Sequence, residues 1–168
     1  MAEATPPRIS TARLSLDPLT VADAEEMVGV LAHASLYRFT GGRPPTLREL
    51  RARYRRQVFG RSADGSEAWH NWIVRDRADG KAMGYVQATI TGANGERADI
   101  AWVIGMPCQG HGYAAEAAGA MVEWLTARGV TTVTAQIHPG HEASAAVARR
   151  VGLSPTDESK GGEVVWRR

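Results

Sequence analysis

Cysteine is nearly absent from this 168-residue chain: Cys108 stands alone, so no intrachain disulfide can help it fold. None is needed, because a chain of this length buries about 70% of the surface that its unfolded form would expose. Long apolar runs are missing too. No stretch approaches the roughly 20 residues of a membrane span, and none combines a basic start, an apolar core and a small-residue cleavage site. The chain is therefore expected to be cytoplasmic and free of membranes. A strong charge of one sign is also lacking, and the formal net charge of +2 is too small to argue for a nucleic-acid partner. His138 and His141 lie close together, but no cysteine or carboxylate at ligand spacing completes a metal site.

What is present is a run of alternating and helical patterns behind a short proline-containing start. Residues 1–10 have no periodicity and are expected to be a poorly ordered tail, with one domain over 11–168. "RLSLDPL" alternates as a half-buried strand does. Thr20 is then a plausible N-cap for a helix running to about Ala34, with Ala24, Met27, Val28 and Leu31 on one face. Thr46 and Glu49 form a capping-box pattern that opens a second helix to about Phe59. "WHNWIVRD", "AMGYVQATIT" and "RADIAWVIG" read as three strands, the last two joined by the hairpin signal Asn94-Gly95. A helix closed by Gly129, a β-branched strand over 130–138, a short helix closed by Gly152 and a last strand "EVVWRR" complete the order. This is an α+β or mixed α/β pattern.

"CQGHGYAA" lies between the third of those strands and the long helix. Glycines at a helix start let unpaired N–H groups and the helix dipole meet an anion, and a phosphate is the first expectation. "GHGYAA" also matches the dinucleotide pattern G-x-G-x-x-A. That site should follow its strand tightly and have an acidic residue at the end of the next strand. Here the strand ends several residues early, and "VTTVTAQIH" contains no acid.

Gln109, Gly112 and Ala114 fit the Q/R-x-x-G-x-G/A signature, and the chain resembles the GNAT acyl-CoA N-acyltransferases. "TARLSLDPLTVADA" and "IHPGHEASAAVARRVGL" are similar to the branch that acetylates ribosomal-protein alanines. The resemblance implies a central, mostly antiparallel twisted sheet with one splayed parallel strand pair, flanked by about four helices. It implies acetyl-CoA as the acyl-donor substrate and a primary amine as acceptor, with the acetyl group moved directly, by a monomer or a homodimer. By position, Trp102, Val103 and Ile104 would offer the strand edge to the thioester arm. Gln109, Gly110, His111, Gly112, Tyr113, Ala114 and Ala115 would surround the pyrophosphate. His141 stands where asparagine usually contacts the cofactor arm, and either ring nitrogen can still donate to it.

An amine of pKa about 10 is mostly protonated at neutral pH, so its attack on a thioester needs a proton acceptor. The resemblance puts Asp99 in that place, although a solvated strand residue beside Arg97 is an equal reading. The tyrosine that many members use to protonate the thiolate is replaced by Ala148. Ser144 is the candidate in its stead, against the plain alternative of a helix-start residue bonding its own backbone. Tyr37, Arg38 and the "GGRPP" loop should border the acceptor, with Trp69 and Trp72 as further candidates, although core packing is the better reading of Trp72. Ala148 and His141 also leave open a protein that binds acyl-CoA without catalysis.

Overall fold

The computed structural model describes residues 5–168. Within these residues eight strands form one sheet: β1 (Ile9–Ser10), β2 (Leu14–Pro18), β3 (Ala68–Asp76), β4 (Ala82–Thr91), β5 (Arg97–Ile104), β6 (Thr132–Ile137), β7 (Ser154–Lys160) and β8 (Glu163–Arg167). Their order across the sheet is β1-β2-β3-β4-β5-β6-β8-β7. Every neighbouring pair is antiparallel except β5 and β6. Among the described residues, four α-helices accompany the sheet: α1 (Ala24–Val30), α2 (Leu47–Gln57), α3 (Tyr113–Ala127) and α4 (Glu142–Arg150). Among the described residues, no helix is long and apolar enough to cross a membrane.

Alternation along the central strands feeds two cores, one on each face. Trp72 and Val74 of β3, Val86 and Ala88 of β4, and Ala98 and Ile100 of β5 join the larger core. α3 covers it with Ala117, Ala118, Met121, Val122 and Leu125, a helical stripe that is wholly buried. Full burial of Met121 or Leu125 contributes about 1.5–3 kcal/mol each. On the opposite face, Ile73 packs against Ala24, Met27 and Leu31 of the α1 region and Leu50 and Tyr54 of α2, with Tyr85 and Val103 at its border.

Several expectations hold in detail. Thr46 Oγ1 accepts from the Glu49 N–H at 3.2 Å while Glu49 accepts from the Thr46 N–H at 3.0 Å, which closes the capping box. The Asn94-Gly95 turn joins β4 to β5 in antiparallel register. Gly129, at φ +95°, ends α3, and the next N–H, from Val130, returns to the Leu125 carbonyl.

Others are corrected. Residues 1–4 of the expected tail lie outside the described residues, but the rest of it is ordered. Pro6 is buried, Ile9 and Ser10 pair with Leu16 and Ser15, and the Trp72 indole donates to the Pro7 carbonyl at 2.8 Å. The buried indole N–H needs an acceptor, and this segment supplies it. The first helix is broken up: a 3-10 turn over Val21–Asp23 precedes α1, and another over Ala34–Tyr37 follows it. Val28, Gly29 and Val30 are poor helix formers, and His33 Nδ1 caps the new turn by accepting from the Ser35 N–H. β7 was not foreseen, because "SPTDESK" is polar and carries proline. It is an exposed edge strand with an irregular register against β8.

Candidate active site

β5 and β6 pair over three residues only: Arg97 with Thr132, Ala98 with Val133 and Asp99 with Thr134. Beyond that point β5 stays bonded to β4 as far as Ile104, while β6 stays bonded to β8 as far as Ile137. The two strands therefore part after Asp99 and leave a wedge between Ile100–Ile104 and Ala135–Ile137. Trp102, Val103 and Ile104 all lie on the open stretch, but the Val103 backbone is turned to Tyr85 of β4, and only Trp102 and Ile104 direct theirs into the wedge, because backbone groups alternate sides along a strand. The Ile104 carbonyl is already taken: the Gln109 side chain donates to it at 2.9 Å and ties the following loop to the strand.

Met106–Cys108 then make one 3-10 turn, and Gly110 and Gly112 follow at φ +80° and +79°. Side chains rarely adopt that left-handed conformation, which explains both glycines. Crowding does not explain Gly110, since a Cβ there would meet nothing within 4 Å. Gly112 is the N-cap of α3, so the N–H groups of Tyr113, Ala114 and Ala115 open the helix without intrahelical acceptors. His111 stacks on Tyr113 with ring centroids 5.6 Å apart. Sequence reasoning missed the charges that gather there. A Cβ at Gly112 would stand 3.6 Å from Arg13 Nη2 and 3.7 Å from Arg150 Nη1. Arg13 is held by Glu116 at 2.8 Å, by the His111 carbonyl at 3.0 Å and over the Tyr113 ring at 4.5 Å. The helix start, its dipole and two guanidinium groups make this corner of the molecule anion-attracting.

Asp99 stands at the vertex of the wedge. Thr134 Oγ1 donates to its Oδ1 and Gln136 Nε2 to its Oδ2, both at 3.1 Å. Its side chain reaches solvent, yet the surrounding strands desolvate the carboxyl enough to hold its pKa above the ordinary aspartate value. The Thr134 hydrogen bond and the charge of Lys160 pull it the other way.

The far side of the wedge is closed by the connection between β6 and α4. His141 caps α4, stacks on Phe39 with centroids 4.4 Å apart, and places Nε2 3.4 Å from Ser144 Oγ. Ser144 thus bonds a side chain rather than its own backbone. Burial, and secondarily the neighbouring His138, hold the His141 pKa below the usual histidine value, so the ring is neutral at pH 7. His138 also touches Phe39, at 5.2 Å, and accepts from the Gly140 N–H. Ala148 is wholly buried in the larger core, so no proton donor stands at that turn of α4.

Of the expected acceptor residues, Trp72 borders a cleft and Tyr37, Arg38 and Trp69 do not line it. Trp69 donates its indole N–H to Glu67 at 2.8 Å, Tyr37 donates to the Leu31 carbonyl at 2.8 Å, and Arg38 lies over the Phe39 ring. Trp72 belongs to the larger core and also borders the cleft. The cleft, of about 210 Å³, is lined by Leu19, Leu31, Arg53, Tyr54, Gln57, Asn71, Tyr85 and Gln87 among others. The pattern held a signal for it: Asn71, Tyr85 and Gln87 are polar positions on the same side of their strands as Ile73, where a purely apolar face would be simplest.

The family described as an acetyltransferase (GNAT) domain matches residues 13–154. Three solved structures share the fold. The ribosomal-protein-S5-alanine acetyltransferase of Vibrio fischeri is 16% identical, with 97% of this chain and 96% of that one covered and a TM-score of 0.81. RimL, a ribosomal L7/L12 α-N-protein acetyltransferase in complex with coenzyme A, is 14% identical with 96% and 97% covered and a TM-score of 0.78. The microcin C7 self-immunity acetyltransferase MccE, in complex with acetyl-CoA and AMP, is 14% identical with 94% and 93% covered and a TM-score of 0.76. None of the curated protein sequences matches the chain. The match over most of its length, the single splayed parallel pair and the glycine loop at the start of α3 agree, and the chain belongs to the GNAT acetyltransferase family.

Proposed function

We propose that this protein is an acetyl-CoA-dependent N-acetyltransferase that moves the acetyl group directly onto a primary amine, within a ternary complex. The observation that carries the reading is the parting of β5 and β6 at Asp99, next to an anion-attracting helix start. Strand backbone at Trp102, which faces the wedge, can bond the amide groups of the thioester arm as a neighbouring strand would. The N–H groups of Gly112 to Ala115, with Arg13 and Arg150 beside them, suit its pyrophosphate. The complexes of RimL with coenzyme A and of MccE with acetyl-CoA support the same donor.

In this reading Asp99 accepts the proton that the attacking amine must lose, and its raised pKa makes it a better base than an ordinary aspartate. The N–C bond forms as the C–S bond breaks. The Ser144 hydroxyl, poised on His141, donates to the departing thiolate in place of the missing tyrosine. Acceptors in range are a protein N-terminus or a small-molecule amine.

Calorimetric titration with acetyl-CoA, with NAD as control ligand, tests the reading. Micromolar binding of acetyl-CoA without response to NAD is expected. Release of free thiol in the presence of amines, lost in Asp99→Asn with acetyl-CoA binding retained, would establish transfer. Binding without transfer to any amine would leave a protein that only binds acyl-CoA, and no binding would overturn the proposal.

A further inference from the structure

The cleft between the sheet and the α1–α2 layer contains donors that no group among the described residues uses. Tyr54 is 4% exposed, and its hydroxyl is buried without a hydrogen-bond partner among the described residues. A buried O–H left unpaired is uncommon in folded proteins, and here it faces a space large enough for part of a ligand. The side chains of Arg53, Asn71 and Gln87, which line the same cleft, also have no hydrogen bond or ion pair among the described residues.

The charge in this space has one sign. Arg53 stands at the mouth, and its field reaches the phenols of Tyr37, Tyr54 and Tyr85. Among the described residues, no carboxylate lines the cleft. The nearest acid acting on Tyr54 is Asp23, whose carboxylate is engaged by Arg75 at 2.9 Å and by Thr20. A polycationic amine would find a guanidinium and no counter-charge, whereas a carboxylate would find a cation, a phenol O–H and two amides.

The cleft also lies within a short reach of the vertex. Gln87 pairs with Ala101, and Asp99 is the next residue of β5 on the same face. Two strand residues cover about 7 Å, so an amine at Asp99 and an anion in the cleft are several bonds apart in one molecule.

We propose that this cleft receives the non-reacting end of the acceptor and selects small monoamines that carry a carboxylate several bonds from the amine, in the manner of a free dipeptide. The proposal rests on the acetyl-transfer reading only for the place of the amine, since recognition of the carboxylate is a binding property of the cleft itself. Arg53 meets the carboxylate at the mouth, and the Tyr54 hydroxyl gains its missing acceptor inside.

The test is direct titration of acceptors, without acetyl transfer. A panel of free dipeptides, the same dipeptides as C-terminal amides, and spermidine would be titrated calorimetrically into the protein, alone and saturated with coenzyme A. Free dipeptides should bind roughly tenfold or more tighter than their amides, and spermidine should not bind. Arg53→Gln should erase the preference and Tyr54→Phe should reduce it, while Arg53→Lys restores part of it. Equal affinity for acid and amide, preference for spermidine, or no binding of any dipeptide would overturn the proposal. Failure of coenzyme A to bind would overturn the acetyl-transfer reading instead, and the titrations without it would still report on the cleft. An amidated peptide with an acidic second residue, bound as well as a free dipeptide, would contradict the small-acceptor assignment and point to a protein N-terminus.

Discussion

Asp99 is held in a balance that can be tipped one hydrogen bond at a time. Burial raises its pKa, while the hydroxyl of Thr134 lowers it by stabilising the ionised form. Thr134→Val leaves burial less opposed, so the pKa rises further. If Asp99 is the base, the acid limb of the pH–rate profile moves to higher pH in this variant while the plateau above it is kept. Asp99→Asn should lower kcat by roughly 100-fold or more, the usual worth of a positioned base. The sign also governs stability. Because the folded state holds the Asp99 proton more tightly than the unfolded chain, this group's contribution is fully present below the ordinary aspartate pKa of 3.8 and is lost as pH rises through the raised value. Asp99→Asn should flatten that part of the stability profile in denaturant titrations at stepped pH. A profile that keeps its slope would remove Asp99 from the argument.

At the scale of elements, the wedge depends on how closely β4 carries β5. A Cβ at Gly84 would lie within van der Waals overlap of the Val103 carbonyl oxygen, which faces β4, and 2.9 Å from Ile104 Cα, both backbone atoms of the β5 stretch that borders the wedge. Gly84→Ala must therefore displace the strand itself. A loss of about 1–3 kcal/mol is expected, or roughly 2–4 °C in Tm for each kcal/mol in a chain of this size. Acetyl-CoA affinity should fall with it, because the moved segment is the edge that meets the thioester arm. Unchanged melting would show that the sheet absorbs the methyl group. The same scale explains what could be read from the sequence. β3, β4 and β5 were legible because alternation, the Asn94-Gly95 turn and β-branched residues agree. The glycine loop was legible because its conformation is dictated by local backbone physics. β7 was not, since an exposed edge strand is under little pressure to be apolar. The cleft was beyond reach for another reason. Its lining comes from the approach to α1, from α2, from β3 and from β4, and Arg53 and Gln87 meet only once the chain has folded.

In the whole molecule, the two cores hold opposite sides of one sheet, and the wedge opens within that sheet where the pairing of β5 and β6 stops. Phe39, between α1 and α2, stacks on His141, at the start of α4, so the layers on the two faces meet at the end of the wedge. A ligand lying in the wedge and on the start of α3 touches parts of the chain that separate on unfolding, and it should stabilise the fold as a unit. At acetyl-CoA one hundred times its dissociation constant the gain is about 2.7 kcal/mol, which corresponds to a rise of roughly 5–10 °C in Tm. NAD should give none. Gly112→Val separates the loop from the rest. At φ +79° a branched side chain costs roughly 1–2 kcal/mol of local strain, so the free variant should melt a few degrees lower yet cooperatively. Its rise with acetyl-CoA should be largely lost, because the strained loop can no longer present its N–H groups to the pyrophosphate. A variant that melts lower but gains as many degrees from acetyl-CoA as the parent would mean that the donor is held elsewhere in the wedge, and that the start of α3 is not its phosphate site.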